Sequence, residues 1–254
     1  MTYDRDTVVR GIERYYELLA KLAYIEESEI IRPPPTGWTD EQLLMDMLVS
    51  AGRSDKVIDL VRHLPYLRCD RELEVYPPCR YVSYLREEAD EDALSPETAK
   101  DYFHLQLMPF GDEIKTPANM VVLASDLNAD AWVLDVDKGV IYQCDSTLYD
   151  EDAPEEEPWR QFGKRMDAKR FLDKVYGHVN NLILIPIPEP FPWFEGGNGP
   201  KGRRLKRLLT ENGWPENLHK EAYLNTLREY AEAERARMAE EDDDDDVDDD
   251  DQNA

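Results

Sequence analysis

Five aspartates, Asp126, Asp130, Asp135, Asp137 and Asp145, form the densest set of side chains with chemistry to offer. Hard divalent cations need several carboxylate oxygens, so the set has the right donor type for a metal. The spacing departs from the Asp-x-Asp-x-Asp-Gly calcium loop. Aspartate also caps turns and solubilises sheet edges, and that reading is preferred, with no metal assigned. His63, His104, His178 and His219 are scattered and form no HExxH or Ser-His-Asp pattern, and there is no GxSxG. Cys144 with His104 is the one nucleophile pair worth naming, since catalytic partners meet in space and not in sequence. Cys69, Cys79 and Cys144 contain no CxxC pair and fit three reduced thiols. The run Gly196-Gly197-Asn198-Gly199-Pro200-Lys201-Gly202 has the composition of a phosphate loop without its GxxxxGK[ST] order, and reads as a hinge. No catalytic residue and no cofactor follow from these patterns.

Charge points to partners instead. The 254-residue chain has a formal charge of −26. Removing the eleven acids of residues 240–251 leaves −15, so the body is acidic as well. Such a body repels phosphate backbones, which disfavours nucleic acid. Asp242, Asp243, Asp244, Asp245 and Asp246, followed after Val247 by four more aspartates, cannot bury enough apolar surface to fold. They are expected to form a disordered tail able to engage a basic partner, with fraying of the preceding helix around Arg237 to Glu241. Lys201, Arg203, Arg204, Lys206 and Arg207 are either an anion-binding patch or a helix face paired with acidic segments. Phe191, Trp193 and Phe194, spaced by prolines, are either an exposed docking strap or the pins that hold it to the body. No apolar run is long enough to span a membrane and no signal-peptide pattern is present, so a cytoplasmic or nuclear protein is expected.

Helices are expected at 7–27, with Val8, Ile12, Tyr15, Leu19 and Leu22 as its apolar stripe and Asp6 or Thr7 as its cap. Others are expected at 39–50 with a Thr39–Gln42 capping box, from Ser54 to Pro65, at 159–180, and at 201–212 and 216–240. Strands are expected at 81–85, 104–108, 120–124, 131–136, 140–144 and 182–187, with a helical turn after Ser95. Asp137-Lys138-Gly139 supplies a hairpin turn between two of these strands, giving an antiparallel meander at the centre of a sheet. Prolines 186, 188, 190 and 192 exclude a sheet centre and predict an extended surface strap.

Leu107-Met108-Pro109-Phe110-Gly111-Asp112, then Val121 to Asp126, then Trp132-Val133-Leu134-Asp135 with Gly139-Val140-Ile141, resembles the SUKH-type superfamily. That superfamily includes fungal cell-wall assembly regulators and bacterial toxin-immunity proteins. Phe171-Leu172 is similar to its late helical Phe-Leu pair, and the resemblance spans residues 40–182. Leu127-Asn128-Ala129-Asp130 stands where the family has Gly-Gly-Asp. The resemblance implies a curved antiparallel sheet flanked by helices and a binding role without chemistry.

The resulting expectation is an α+β protein with one curved, mainly antiparallel sheet flanked by helices, an N-terminal helix and a C-terminal helical extension. Its parts are an N-terminal helix and proline linker (1–38), a SUKH-like body (39–195), a helical extension (196–240) and an acidic tail (241–254). The expected function is a non-enzymatic interaction scaffold or regulator, with Trp132, Asp135, Asp137, Phe191, Trp193, Phe194, Arg203, Arg204 and Asp242 to Asp246 as partner-binding residues. The alternatives are a shield for a basic protein such as a histone or ribosomal protein, and an unrecognised enzyme.

Overall fold

The computed structural model describes residues 3–69, 73–86, 110, 114–126, 130–145, 150–188 and 193–247, with the side chains of Phe162 and 238–247 left aside. The strand at 104–108, the helical turn after Ser95 and Phe191 lie outside these residues. The fold is mixed α+β. Its centre is a curled, six-stranded antiparallel half-barrel in the order β3-β4-β5-β6-β7-β8. The strands are β3 (Glu74–Tyr76), β4 (Cys79–Tyr81), β5 (Met120–Ser125), β6 (Ala131–Asp135), β7 (Val140–Cys144) and β8 (Gly163–Asp167). The expected β6–β7 hairpin is present in unbroken register, Ala131↔Cys144 to Asp135↔Val140. Gly139 takes φ +66° in its turn, a conformation that a Cβ would strain.

The first helix, α1 (Arg5–Lys21), buries the stripe of Val8, Ile12, Tyr15 and Leu19 read from its 3.6-residue period. Its cap is Asp4, which accepts from the Thr7 amide at 3.1 Å, and not Asp6 or Thr7. It also stops six residues short of the expected end. Ala23 turns to φ +58°, and the amides of Tyr24 and Ala23 close back on the carbonyls of Leu19 and Ala20. That crossed pair satisfies the terminal carbonyls and ends the helix. Beyond it, the Tyr24 hydroxyl donates to the Glu74 carbonyl at 2.9 Å, and the Tyr15 hydroxyl donates to that of Val75. Two side chains thereby occupy backbone acceptors on the edge strand β3, where unpaired groups invite misassociation.

Short β1 (Ile30–Ile31) pairs with β2 (Tyr66–Leu67) around α2 (Met45–Ser50) and α3 (Asp55–His63). Thr39 and Gln42 form half of the expected capping box, amide to side chain at 3.0 Å, but the regular helix begins only at Met45. Ser54 caps α3 as expected, accepting from the Val57 amide. Buried Arg53 ties this layer to the sheet by donating to the Pro117 carbonyl at 2.9 Å.

The segment expected as one helix at 159–180 is divided. A 3-10 turn (Pro158–Phe162) leads into β8, and α4 (Ala168–Asn180) follows with Asp167 as its cap. The unpaired side of β7 decides this. It takes the backbone of Gly163–Asp167 in full register, Cys144↔Gly163 to Val140↔Asp167, and tertiary pairing overrides a weak helical pattern. α1 lies parallel to α4: Gly11 faces Leu172, and Arg14 bonds Asp173 at 2.6 Å and sits 4.2 Å above the Tyr176 ring.

The proline strap turns back as a two-stranded ribbon, β9 (Leu184–Ile187) with β10 (Trp193–Gly196), before α5 (Pro200–Glu211) and α6 (Lys220–Val247). The glycine run, expected as a hinge, is closely packed at two of its positions. A Cβ at Gly197 would lie 1.9 Å from the Leu182 carbonyl oxygen, and one at Gly202 would lie 2.0 Å from that of Gly196. α6 continues through the turn where fraying was expected and carries the first residues of the acidic run as helix; residues 248–254 lie outside the described set. An unbroken helix satisfies the backbone of Arg237 to Glu241 within the chain. Gly202→Ala is expected to lose at least about 2 kcal/mol in urea unfolding, because the neighbouring atom is backbone and cannot rotate away. Gly196→Ala, at an open position, is expected to stay within about 0.5 kcal/mol of the parent.

Candidate functional site

The five aspartates are not one cluster. Asp126 and Asp130 close the β5–β6 end, where the Asp130 amide donates to Asp126 Oδ1 at 2.9 Å. Asp145 follows β7 at that same end. Asp135 and Asp137 lie at the opposite end of β6, about 13 Å away at the rise of a strand. Among the described residues no three ligating side chains converge. Asp135 is 1% exposed. Its Oδ1 accepts from Asn119 at 2.6 Å and from the amides of Asp137 and Lys138 at 2.9 and 3.1 Å. Its Oδ2 makes no hydrogen bond, and the Lys138 ammonium at 3.7 Å supplies the counter-charge. This carboxylate organises the hairpin turn and cannot reach a partner.

Trp132, expected as a contact residue, is also 1% exposed. It is wedged edge-on between Tyr76 and Phe171, at 5.6 and 5.1 Å between ring centroids, because its strand position faces α4. Asp137 is exposed and pairs with Lys56 at 2.5 Å. Trp193 and Phe194 are half-buried, and Phe194 packs on Tyr24 at 5.2 Å, so these aromatics pin the ribbon to the body. Lys201 pairs with Glu195 at 3.2 Å and covers the Trp193 ring. Arg204 covers Tyr230 at 4.5 Å and approaches Glu234 at 3.9 Å, while Arg203 donates to the Asn198 carbonyl at 2.6 Å. Three of the five cations at 201–207 therefore serve intramolecular contacts. The backbones of Asp242 to Asp246 lie on α6.

The nucleophile pair is not assembled among the described residues, since His104 lies outside them. Burial pushes the Cys144 thiol up to about 12 and that of Cys79 higher still, with the nearby carboxylates of Asp126 and Asp130 adding to the latter.

A different surface emerges from β8 and α4. Segment 160–178 holds six cations and two acids, a formal +4 within an acidic chain. Lys164, Arg165, Lys169 and Arg170 are exposed. The register places Lys164 opposite Gln143, and Lys174 Nζ reaches Gln143 Oε1 at 3.2 Å, which brings Lys174 alongside Lys164, whereas Arg165, the next residue of the strand, points to the other face of β8. Arg170 lies one helical turn before Lys174 on the same face of α4. Asp173 is occupied by Lys169 and Arg14, both at 2.6 Å, and these cations hold its carboxyl below the usual carboxylate range. Asp167 is held by its capping bond to the Arg170 amide at 3.0 Å. Lys164, Arg165 and Arg170 have no side-chain partner among the described residues. β8 is terminal in the sheet, and no described strand covers its outer side. Two small clefts of about 280 and 220 Å³ run between α1 and α4 and share Thr7 and Lys169. Both fall below the volume typical of a small-molecule site.

This ridge was missed at the level of sequence because 159–180 reads as one helix, whose cations would spread around all faces. The signal available was the recurrence of Lys-Arg at 164–165 and 169–170 with Lys174, inside a chain otherwise rich in acid. Alkylation at pH 8 with adduct mapping is expected to label Cys69 before Cys79 or Cys144; a thiol at about 12 has a thiolate fraction on the order of 10⁻⁴ there.

No helix among the described residues is long and apolar enough to cross a membrane. No family model matches the chain, and no curated protein or solved structure matches it either.

Proposed function

We propose that this chain is a non-enzymatic protein-interaction scaffold whose β8–α4 ridge receives an acidic segment of a protein partner. The observation that carries the reading is the ridge itself: exposed Lys164 and Arg170, without side-chain partners among the described residues, flank Lys174 in a chain of formal charge −26. A local basic surface on an acidic body steers an acidic ligand to one place and repels it elsewhere. No described strand pairs with the outer side of β8, and such an edge suits an extended chain. The resemblance to the SUKH-type superfamily supports the same class of role. Protein is favoured over nucleic acid as the ligand, because the surrounding body is acidic and the ridge offers no described aromatic platform for bases.

Fluorescence anisotropy with a labelled decapeptide of aspartate and glutamate tests the reading. Each exposed ion pair contributes roughly 0.2–1 kcal/mol. The double variant K164E/R170E is therefore expected to bind about tenfold more weakly, allowing for added repulsion. K115E/K220E carries the same change in net charge at exposed positions off the ridge, and is expected to lose less than about threefold. Equal losses in the two variants would show that only net charge matters and would sink the reading. So would tighter binding of a single-stranded RNA decamer than of the peptide.

A further inference from the structure

The acidic segment with the greatest complementarity to the ridge is encoded in the chain itself. Nine of the ten residues 242–251 are aspartate. We infer that the acidic C-terminal run of one copy docks along the β8–α4 ridge of a second copy. This inference rests on the ridge being an acidic-segment site, and it names the occupant.

The layout of the fold favours a second copy over the chain's own ridge. α6 packs on α5, α5 packs on the β9–β10 ribbon, and β10 meets β3. The ridge faces outward from β8, the terminal strand at the other edge of the sheet, and it is the C-terminal end of α4 that reaches β3 and the ribbon, through His178 and Tyr76 at 2.8 Å. The ridge and the root of α6 also differ along the helix axes. Lys21, at the C-terminal end of α1, donates to the Pro215 carbonyl at 3.1 Å, just before α6 begins. The N-terminal end of α1 shares its clefts with Lys169. Because α1 and α4 are parallel, the root of α6 and the Lys169–Arg170 end of the ridge lie toward opposite ends of α1.

α6 then carries the run outward. Among its described side chains, which end at Arg237, the buried ones are Tyr223, Leu227 and Tyr230, in the first part of the helix. From Ala231 to Arg237 every residue is exposed or half-buried. The helix from Ala231 to Val247 extends about 25 Å. The body adds a second reason, since it keeps a formal −15 without residues 240–251 and repels the aspartates except at the ridge. Contact between such charges is short-ranged, with a Debye length of about 8 Å at physiological salt, so docking depends on placement and is sensitive to ionic strength.

Light scattering on the full-length chain tests this. In 50 mM salt the wild type is expected to show at least a doubled mass as concentration rises, and to return to the monomer mass in 500 mM salt. Two full-length variants separate the partners in the contact. K164E/R170E keeps the aspartates and loses the ridge. The other keeps the ridge and replaces all nine aspartates, from Asp242→Ser to Asp251→Ser. Each alone is expected to be monomeric, and an equimolar mixture of the two is expected to associate one to one. A wild type that stays monomeric at all concentrations while its ridge still binds the acidic decapeptide overturns this inference and leaves the proposed function standing. A wild type that stays monomeric and whose peptide affinity rises when the aspartates are replaced places the run on its own ridge, and also overturns it. Failure of the ridge to bind the decapeptide removes both.

Discussion

The burial of the central hairpin on both faces is the constraint from which the rest of the architecture follows. Every residue of β6 is buried, and so are Ile141, Tyr142 and Cys144 of β7. An antiparallel sheet can leave one face in water, but this one does not. One side is covered by α4, with Phe171 against Trp132, and α1 packs against α4. On the other side the Tyr84 hydroxyl donates to the Val122 carbonyl at 2.9 Å, and Arg53 anchors the α2–α3 layer to the start of β5. A strand closed in this way cannot offer its side chains to a partner. Trp132 and Asp135 consequently belong to the core, although their residue types suggest recognition.

The same closure pushes binding capacity to the margins of the sheet. The two edges differ. β3 has carbonyls occupied by Tyr15 and Tyr24, and the β9–β10 ribbon lies beside it. β8 is terminal and carries two exposed cations of a short strand, a common way to discourage uncontrolled edge pairing. Cations that protect an edge from random strands also select for an acidic one. Protection and recognition therefore draw on the same residue, Lys164.

Charge is partitioned as unevenly as burial. Surface ion pairs absorb many of the cations: Arg32 bonds Glu13, Glu17 and Glu27, and Arg5 bonds Asp6 and Asp59. Such pairs contribute little stability individually. Their consequence is that many basic residues are neutralised locally, while Lys164 and Arg170 of β8 and α4 have no side-chain partner among the described residues. The basic helix α5 looks similar in sequence but is engaged with Glu195, Tyr230 and Glu234.

By itself, the sequence determined the elements whose signals are local. The stripe of α1, the Ser54 cap of α3 and the hairpin around Gly139 follow from side-chain period, a hydroxyl acceptor and a left-handed turn residue. The acidity of the body and of its terminal run is a matter of composition. Tertiary structure decided what depends on a neighbour distant in the chain. Gly163–Asp167 is a strand because β7 offers unpaired backbone, not because of its own propensity. Gly197 and Gly202 have no room for a side chain because the Leu182 and Gly196 carbonyls approach where a Cβ would stand. Asp135 is a turn organiser because Asn119, sixteen residues earlier, donates to it. The candidate site is the clearest case. Its cations were visible as letters, but only the β7–β8 register and the placement of α4 gather Lys164, Arg170 and Lys174 on one exposed margin, since electrostatic strength depends on separation in space and not in sequence.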